Sequence, residues 1–200
     1  MRKLFIYGAG GHSKVVAEIA ELVGYNDISF FEDYSDKGSL LGYPIATGID
    51  EGEDCVMAIG NNEIRKKLVL SLNNRFIRLI NPSANISRSS SIEEGTVVMA
   101  GVTINAQSRV GKHCIINTNS SIDHDCFLSD YVHLSPNVAL AGNVTIGEGT
   151  HVGIGACIIQ GVKIGKWCTI GGGTVVIRDV PDGATVVGNP GRVIKRKDSD

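Results

Sequence analysis

Ile116-Asn117-Thr118-Asn119-Ser120-Ser121-Ile122-Asp123-His124-Asp125-Cys126-Phe127-Leu128 places an aliphatic residue at every sixth position. Read outward, that column starts at Ile86 and runs unbroken through Ile92, Val98, Ile104 and Val110. Beyond Leu128 it continues through Leu134, Leu140, Ile146, Val152, Ile158, Ile164 and Ile170 to Val176. A helix repeats at roughly 3.6 residues and a half-buried strand at about 2, so a period of six belongs to neither. It is the mark of a parallel β-helix with flat faces six residues long. Two residues before each next aliphatic lies a second column of small or β-branched residues, among them Thr96, Val102, Ser108, Cys114, Ser120, Cys126 and Val132. These two columns fill the inside of a triangular prism, and the other four positions face outward or turn corners. Gly95, Gly101, Gly111, Gly147, Gly153, Gly155, Gly161, Gly165 and Gly171 are expected at corners that need unusual backbone angles. Function is to be sought on the outer faces.

The first eighty residues follow another rule. Lys3–Tyr7 is a short apolar strand, and Gly8-Ala9-Gly10-Gly11-His12-Ser13 is a glycine-rich turn. Val15, Val16, Ile19, Ala20 and Val23 then recur at helical spacing until Gly24. A second strand, Ile28–Phe31, ends in Glu32-Asp33. A third, Cys55–Ile59, feeds a helix reaching about Leu72 with Ile64, Leu68 and Leu72 on one side. Phe76–Ile80 reads as a last strand. Strand–helix alternation with glycines at strand ends predicts a small Rossmann-like parallel α/β sheet. Asn81-Pro82 breaks the chain, so residues 1–81 and 82–200 are read as two domains.

Composition narrows the function classes. A formal charge of −2 and a pI near 6.2 give no reason to expect nucleic acid binding. No stretch approaches the roughly 20 apolar residues of a membrane span, and the N-terminus lacks the core of a signal peptide. Lys195-Arg196-Lys197 is the one basic run and reads as a solvated end. Cys55, Cys114, Cys126, Cys157 and Cys168 form no C-x-x-C pair, and three of them fall on the inward column. Free thiols of this kind fit a reducing cytoplasm, the expected location.

Two places carry chemistry. Backbone N–H groups of the glycine turn and the helix start behind it can cradle phosphates. Glu32-Asp33 lies about 20 residues on, where an acid commonly accepts from a ribose hydroxyl. Ser13 stands in place of the last glycine of G-x-G-x-x-G, and half a dinucleotide fold suits a mononucleotide or nucleotide-sugar. Plain steric need for glycine, and a surface role for Asp33, remain the alternatives. On the prism, His124 lies between Asp123 and Asp125, and only one of the two can orient its ring. A neighbouring acid raises imidazole basicity, as a general base near neutral pH requires; a solvated loop is the alternative. Residues eighteen apart stack, which puts His133 under His151 and leaves an open place, Gly142, above His124. Ile115 and Thr169 supply no third ligand to the histidine pair, so no metal is expected.

These stretches resemble the hexapeptide-repeat acyltransferases, a family built on the left-handed parallel β-helix. The resemblance is closest to the bacterial UDP-4-amino-sugar N-acetyltransferases that make UDP-N,N′-diacetylbacillosamine. It rests on Tyr7-Gly8-Ala9-Gly10-Gly11-His12, Ala58-Ile59-Gly60-Asn61-Asn62-Glu63-Ile64-Arg65-Lys66-Lys67 and Ile122-Asp123-His124-Asp125-Cys126. Ala141-Gly142-Asn143-Val144, Gly171-Gly172-Gly173 and Val187-Gly188-Asn189-Pro190 add to it. The resemblance implies that His124 takes a proton from the attacking sugar amine and that Asp125 raises its basicity. It implies that His133 hydrogen-bonds the thioester end of acetyl-CoA, the co-substrate, and that Gly142, Ile154 and Gly172 line the coenzyme's groove. Gly10, Gly11 and His12 would hold the UDP diphosphate, with Glu32, Asp33 and Gly60 around the nucleoside. A homotrimer with its sites between neighbouring prisms is implied as well. The competing expectations are O-acetylation of a sialic acid or related sugar, and a nucleotide-sugar-binding trimer without catalysis.

Overall fold

The computed structural model describes residues 3–32, 38–49 and 51–196; Asp33 and Lys197 lie outside them. The six-residue column is buried as one continuous core from Ile92 to Val176, joined by the small column from Val102 to Val180. The prism strands that this column builds are two residues long and pair in parallel with the residue eighteen further on, as Ile122 does with Leu140 and His133 with His151. With Leu79–Ile80, Ala184–Val187 and Arg192–Arg196 added to one of them, they form three flat sheets of eight, six and five strands. Hydroxyls inside the prism are not left idle. Thr96 Oγ1 donates to the Gly111 carbonyl at 2.8 Å and accepts from the Cys114 N–H at 2.9 Å. Ser108 and Thr150 bridge successive coils in the same way. A polar atom in the small column is tolerated because it closes backbone valences at a corner.

The corners differ from expectation. A left-handed residue recurs every six positions, and most are not glycine: Gln107, His113, Asn119, Asp125, Tyr131, Asn137, Asn143 and Trp167 have φ between 53° and 63°. Of the glycines expected there, Gly95, Gly101, Gly155 and Gly161 have positive φ. Gly111, Gly147, Gly153, Gly165 and Gly171 stand two residues earlier, where a Cβ would come within 2.3–2.9 Å of a following coil. Crowding, not backbone angle, requires glycine at those five.

The N-terminal unit runs β1 (Lys3–Tyr7), α1 (Gly11–Leu22), β2 (Asp27–Phe31), β3 (Ser39–Leu40), β4 (Tyr43–Ala46), β5 (Asp54–Met57), α2 (Asn62–Ser71) and β6 (Arg75–Phe76). Its sheet order is β3-β4-β2-β1-β5-β6, parallel except for the β3–β4 hairpin, which the sequence pattern did not announce. The strand expected over Phe76–Ile80 divides. Phe76 pairs with β5, whereas Leu79–Ile80 pairs with Val97–Val98 as a first rung of the eight-stranded prism sheet. The two units share a core. Val16, Ala17, Ile19 and Ala20 of α1 pack between Leu4, Ile6, Phe30 and Val56 on one side and Leu79, Val97, Met99 and Ile115 of the prism on the other.

Helix α2 departs from its expected face. Ile64 is 51% exposed, and the side turned inward carries Asn62, Arg65 and Val69. At the far end of the prism, Arg192–Arg196 runs antiparallel along Ala184–Val187 with every residue exposed. Among the described residues, no helix is long and apolar enough to cross a membrane.

Candidate active site

Strand β1 sits at the centre of the sheet, with β2 on one side and β5 on the other, so the chain reverses direction between β1 and β5. A crevice opens over the carboxyl ends of the strands at such a switch point. Its walls are the turn after β1 and the loop after β5, and they touch. Gly8 has φ +112°, and a Cβ there would lie 3.0 Å from the Ala58 carbonyl and the Ile59 side chain. Gly10, Gly11 and Gly60 instead face open space. No side chain caps α1, so its first N–H groups are free to receive an anion. In that first turn, His12 Nε2 is buried without a protein partner. Burial, then the Arg65 charge, pushes its pKa down to about 4. At neutral pH His12 therefore offers a hydrogen bond rather than a positive charge. Glu32 follows directly after β2, half-buried.

Arg65 holds this crevice to the prism. It is 1% exposed, with no carboxylate among its hydrogen-bond partners. Its Nε donates to the His113 carbonyl at 2.9 Å and an Nη to the Tyr131 carbonyl at 2.9 Å. The other Nη donates to the Ile59 carbonyl at 2.8 Å and, at 3.4 Å, to that of Gly60. Beside it, Asn62 Nδ2 donates to the Gly149 carbonyl at 2.9 Å. His113, Tyr131 and Gly149 are eighteen residues apart, so α2 reads one vertical column of corner carbonyls. Arg65 and Asn62, three residues apart on one helix face, carried no assigned role from sequence; that spacing was the available signal.

The same guanidinium affects the histidines on the eight-stranded face. His133 and His151 stack with ring centroids 4.8 Å apart. His133 Nδ1 lies 3.3 Å from the Gly60 carbonyl, and His151 Nε2 lies 2.9 Å from Ser135 Oγ. Burial first, then His151 and Arg65, holds the His133 pKa down to about 3; burial and Arg65 lower that of His151 too. His133 is thus placed beside Gly60, joining the prism to the crevice.

His124 occupies a different environment. It is exposed, and its Nδ1 lies 2.7 Å from Asp125 Oδ2. Its pKa is raised, chiefly by that hydrogen bond and then by the Asp123 charge. Asp123 Oδ1 is engaged elsewhere, accepting from the His124 backbone N–H at 2.8 Å and from Asn105 Nδ2 at 3.0 Å. Asp125 is therefore the acid that orients the ring. The place above His124 is not open, as the coil arithmetic had it. A Cβ on Gly142 would lie 2.6 Å from the imidazole Nε2 and Cε1, so the ring itself lies over Gly142. Ile154 and Gly172 also stack; a Cβ on Gly172 would sit 3.2 Å from the Ile154 side chain, which is 58% exposed.

One chain does not bring all these groups together. Gly10, Gly11, His12, Gly60 and His133 gather where the α/β unit meets the eight-stranded face. His124 and Gly142 lie at the corner between the six- and five-stranded sheets, and Ile154 and Gly172 at the corner between the eight- and six-stranded sheets. The six-stranded face between those two corners is polar over its first three strands, where Asn85, Thr103 and Ser121 point outward, and apolar over its last three: Ala139, Cys157 and Val175 point outward there, and Ile159 and Ile177 are exposed beside them.

Comparison with known proteins fits this layout. Residues 3–72 match the PglD N-terminal domain, and residues 143–178 match the bacterial transferase hexapeptide (six repeats). GDP-perosamine N-acetyltransferase of Escherichia coli O157:H7 is 34% identical over 148 residues, 70% of this chain and 67% of that protein. The acetyltransferase domain of PglB from Neisseria gonorrhoeae FA1090, solved with acetyl coenzyme A, is 41% identical over 96% of this chain and 99% of that one, with a TM-score of 0.91. The chain belongs to the hexapeptide-repeat acyltransferases. PerB from Caulobacter crescentus, solved with CoA and GDP-perosamine, is a further similar structure in this family, 36% identical over 96% of this chain and 97% of that one, TM-score 0.87. The chain spans less than half of another relative, the serine acetyltransferase of Synechococcus elongatus, at 42% of its length.

Proposed function

We propose that this acyltransferase moves the acetyl group of acetyl-CoA onto the 4-amino group of a UDP-linked amino-deoxysugar. The observation that carries the reading is His124, with Nδ1 bound to Asp125 and Nε2 left free over Gly142. The neutral amine attacks the thioester carbonyl, His124 Nε2 takes the proton it sheds, and CoA leaves as the thiolate that is then protonated. Asp125 stabilises the imidazolium formed on the way. The diphosphate lies against Gly10, Gly11 and His12, with the nucleoside towards Glu32, Asp33 and Gly60. The coenzyme runs past His133, Ile154 and Gly172. Because the crevice lies against the eight-stranded face and the base at another corner of the prism, the site is completed by a neighbouring copy seated on the apolar last three strands of the six-stranded face. A closed trimer is the assembly we infer.

A GDP-linked acceptor is the second reading, favoured by the similarity to the two GDP-perosamine-named relatives. One assay separates the readings: CoA thiol release from acetyl-CoA against UDP-, GDP- and dTDP-linked amino sugars, with a sialic acid as hydroxyl acceptor. The proposal expects release with UDP-linked 4-amino sugars and a fall in kcat of roughly 10²–10⁴-fold for His124→Ala. Turnover only with the sialic acid, or nucleotide-sugar binding without thiol release, would overturn it.

A further inference from the structure

We infer that Arg65 is a positioning residue that acts through the Gly60 carbonyl to fix the His133 ring as a hydrogen-bond acceptor at Nε2. A carbonyl oxygen only accepts, so the 3.3 Å contact between His133 Nδ1 and the Gly60 oxygen places the proton on Nδ1. A neutral ring with Nδ1–H has a lone pair on Nε2. The neighbour there agrees: Asn117 Oδ1 accepts from the Thr118 N–H at 2.8 Å, which turns Asn117 Nδ2, a donor, towards His133 Nε2 at 3.5 Å. Gly60 is held in turn by Arg65, whose Nη donates to the consecutive carbonyls of Ile59 and Gly60 while its other nitrogens are anchored on the prism. The guanidinium thereby sets the direction of the Gly60 carbonyl, and that carbonyl selects the tautomer.

The consequence deepens the proposed reaction and rests on it. A ring presenting a lone pair gives no hydrogen bond to a thioester oxygen. The partner of His133 on acetyl-CoA is then an N–H, and the pantetheine arm carries one on the amide nearest the sulfur. His133 would hold the arm in register by accepting from that amide in place of the long 3.5 Å Asn117 contact, leaving polarisation of the thioester carbonyl to other groups.

Long-range ¹H–¹⁵N correlation on histidine-labelled protein, with His133 assigned by His133→Phe, reads the tautomer directly in the free protein. Protonated Nδ1 is expected; protonated Nε2 in the wild type overturns the inference, whatever the protein acetylates. Arg65→Lys keeps the charge and loses the fork. It should mix the two tautomers and raise KM for acetyl-CoA about three- to tenfold, the size of one lost hydrogen bond, with kcat less affected. A folded Arg65→Lys protein with unchanged tautomer and unchanged KM would refute the role of Arg65. Should that variant not fold, an acetyl-CoA analogue with an ester in place of the amide supplies the second reading. Its KM should rise in the wild type and not in His133→Phe; an equal rise in both would refute the amide contact.

Discussion

Asp125 does two things with one residue. It turns a prism corner at φ +58°, a conformation uncommon for a residue with a side chain, and it holds the His124 ring at 2.7 Å. The same φ recurs at seven other non-glycine corners, so the conformation belongs to the repeat, and what is particular to Asp125 is the ring it holds. The carboxylate raises the His124 pKa above its ordinary 6.5, so the ring is protonated, and useless as a base, until pH rises through that raised value. Asp125→Asn removes the main cause. The acidic limb of the kcat/KM profile should move to lower pH, while turnover at the plateau falls because the base is weaker; a pH–rate profile of the two proteins checks both. A limb that stays in place would mean that another group titrates there.

At the scale of elements, α2 shows how much of this protein was legible in advance. The prism was legible because a period of six over ninety residues is set by one repeating requirement, filling a narrow interior. That His124 points outward followed from that register; that it stands at a corner did not. What the register hid were features set by contact between elements. Leu79–Ile80 looks like a last α/β strand because it is apolar, yet it is a prism rung: Ile80 packs on the prism core and Leu79 faces outward beneath α1. Ile64 looks like core, while the buried face of α2 is polar because it meets three stacked carbonyls. The glycines at the corners were read as conformational when five of them answer crowding. The seam makes its own prediction. Asn62→Ala leaves the Gly149 carbonyl buried without its donor, at a cost of about 1–3 kcal/mol. Thermal or urea unfolding should report that loss, whereas the neighbouring exposed change Glu63→Ala should cost far less.

The separation of crevice and base has a consequence for the whole molecule. If a neighbour supplies what one chain lacks, mixing His124→Ala with Gly10→Val chains should restore part of the turnover that neither possesses alone, through sites drawing one intact half from each. Ile159→Glu on the apolar face should lower the mass seen by light scattering and abolish that rescue. Acid should also weaken the fold. His12 and His113 are held near pKa 4 and His133 near 3, each mainly by burial. Below pH 6.5 the unfolded chain takes up protons that the folded one refuses, so stability is full above 6.5 and falls as pH drops towards 4. Melting temperatures between pH 7 and pH 4.5 should decline accordingly.

The strand laid antiparallel over the last parallel rung bears on a hazard common to all stacked coils. A coil that pairs with the next one up always ends in unspent backbone donors and acceptors, and these would welcome another molecule's strand just as readily. Here the final rung of the eight-stranded sheet is covered by Arg192–Arg196, an exposed strand that carries Arg192, Lys195 and Arg196. Mutual repulsion between such charged ends would disfavour two molecules growing end to end into a filament. Arg192, Lys195 and Arg196 at this end of the prism would thus act as a stopper against polymerisation.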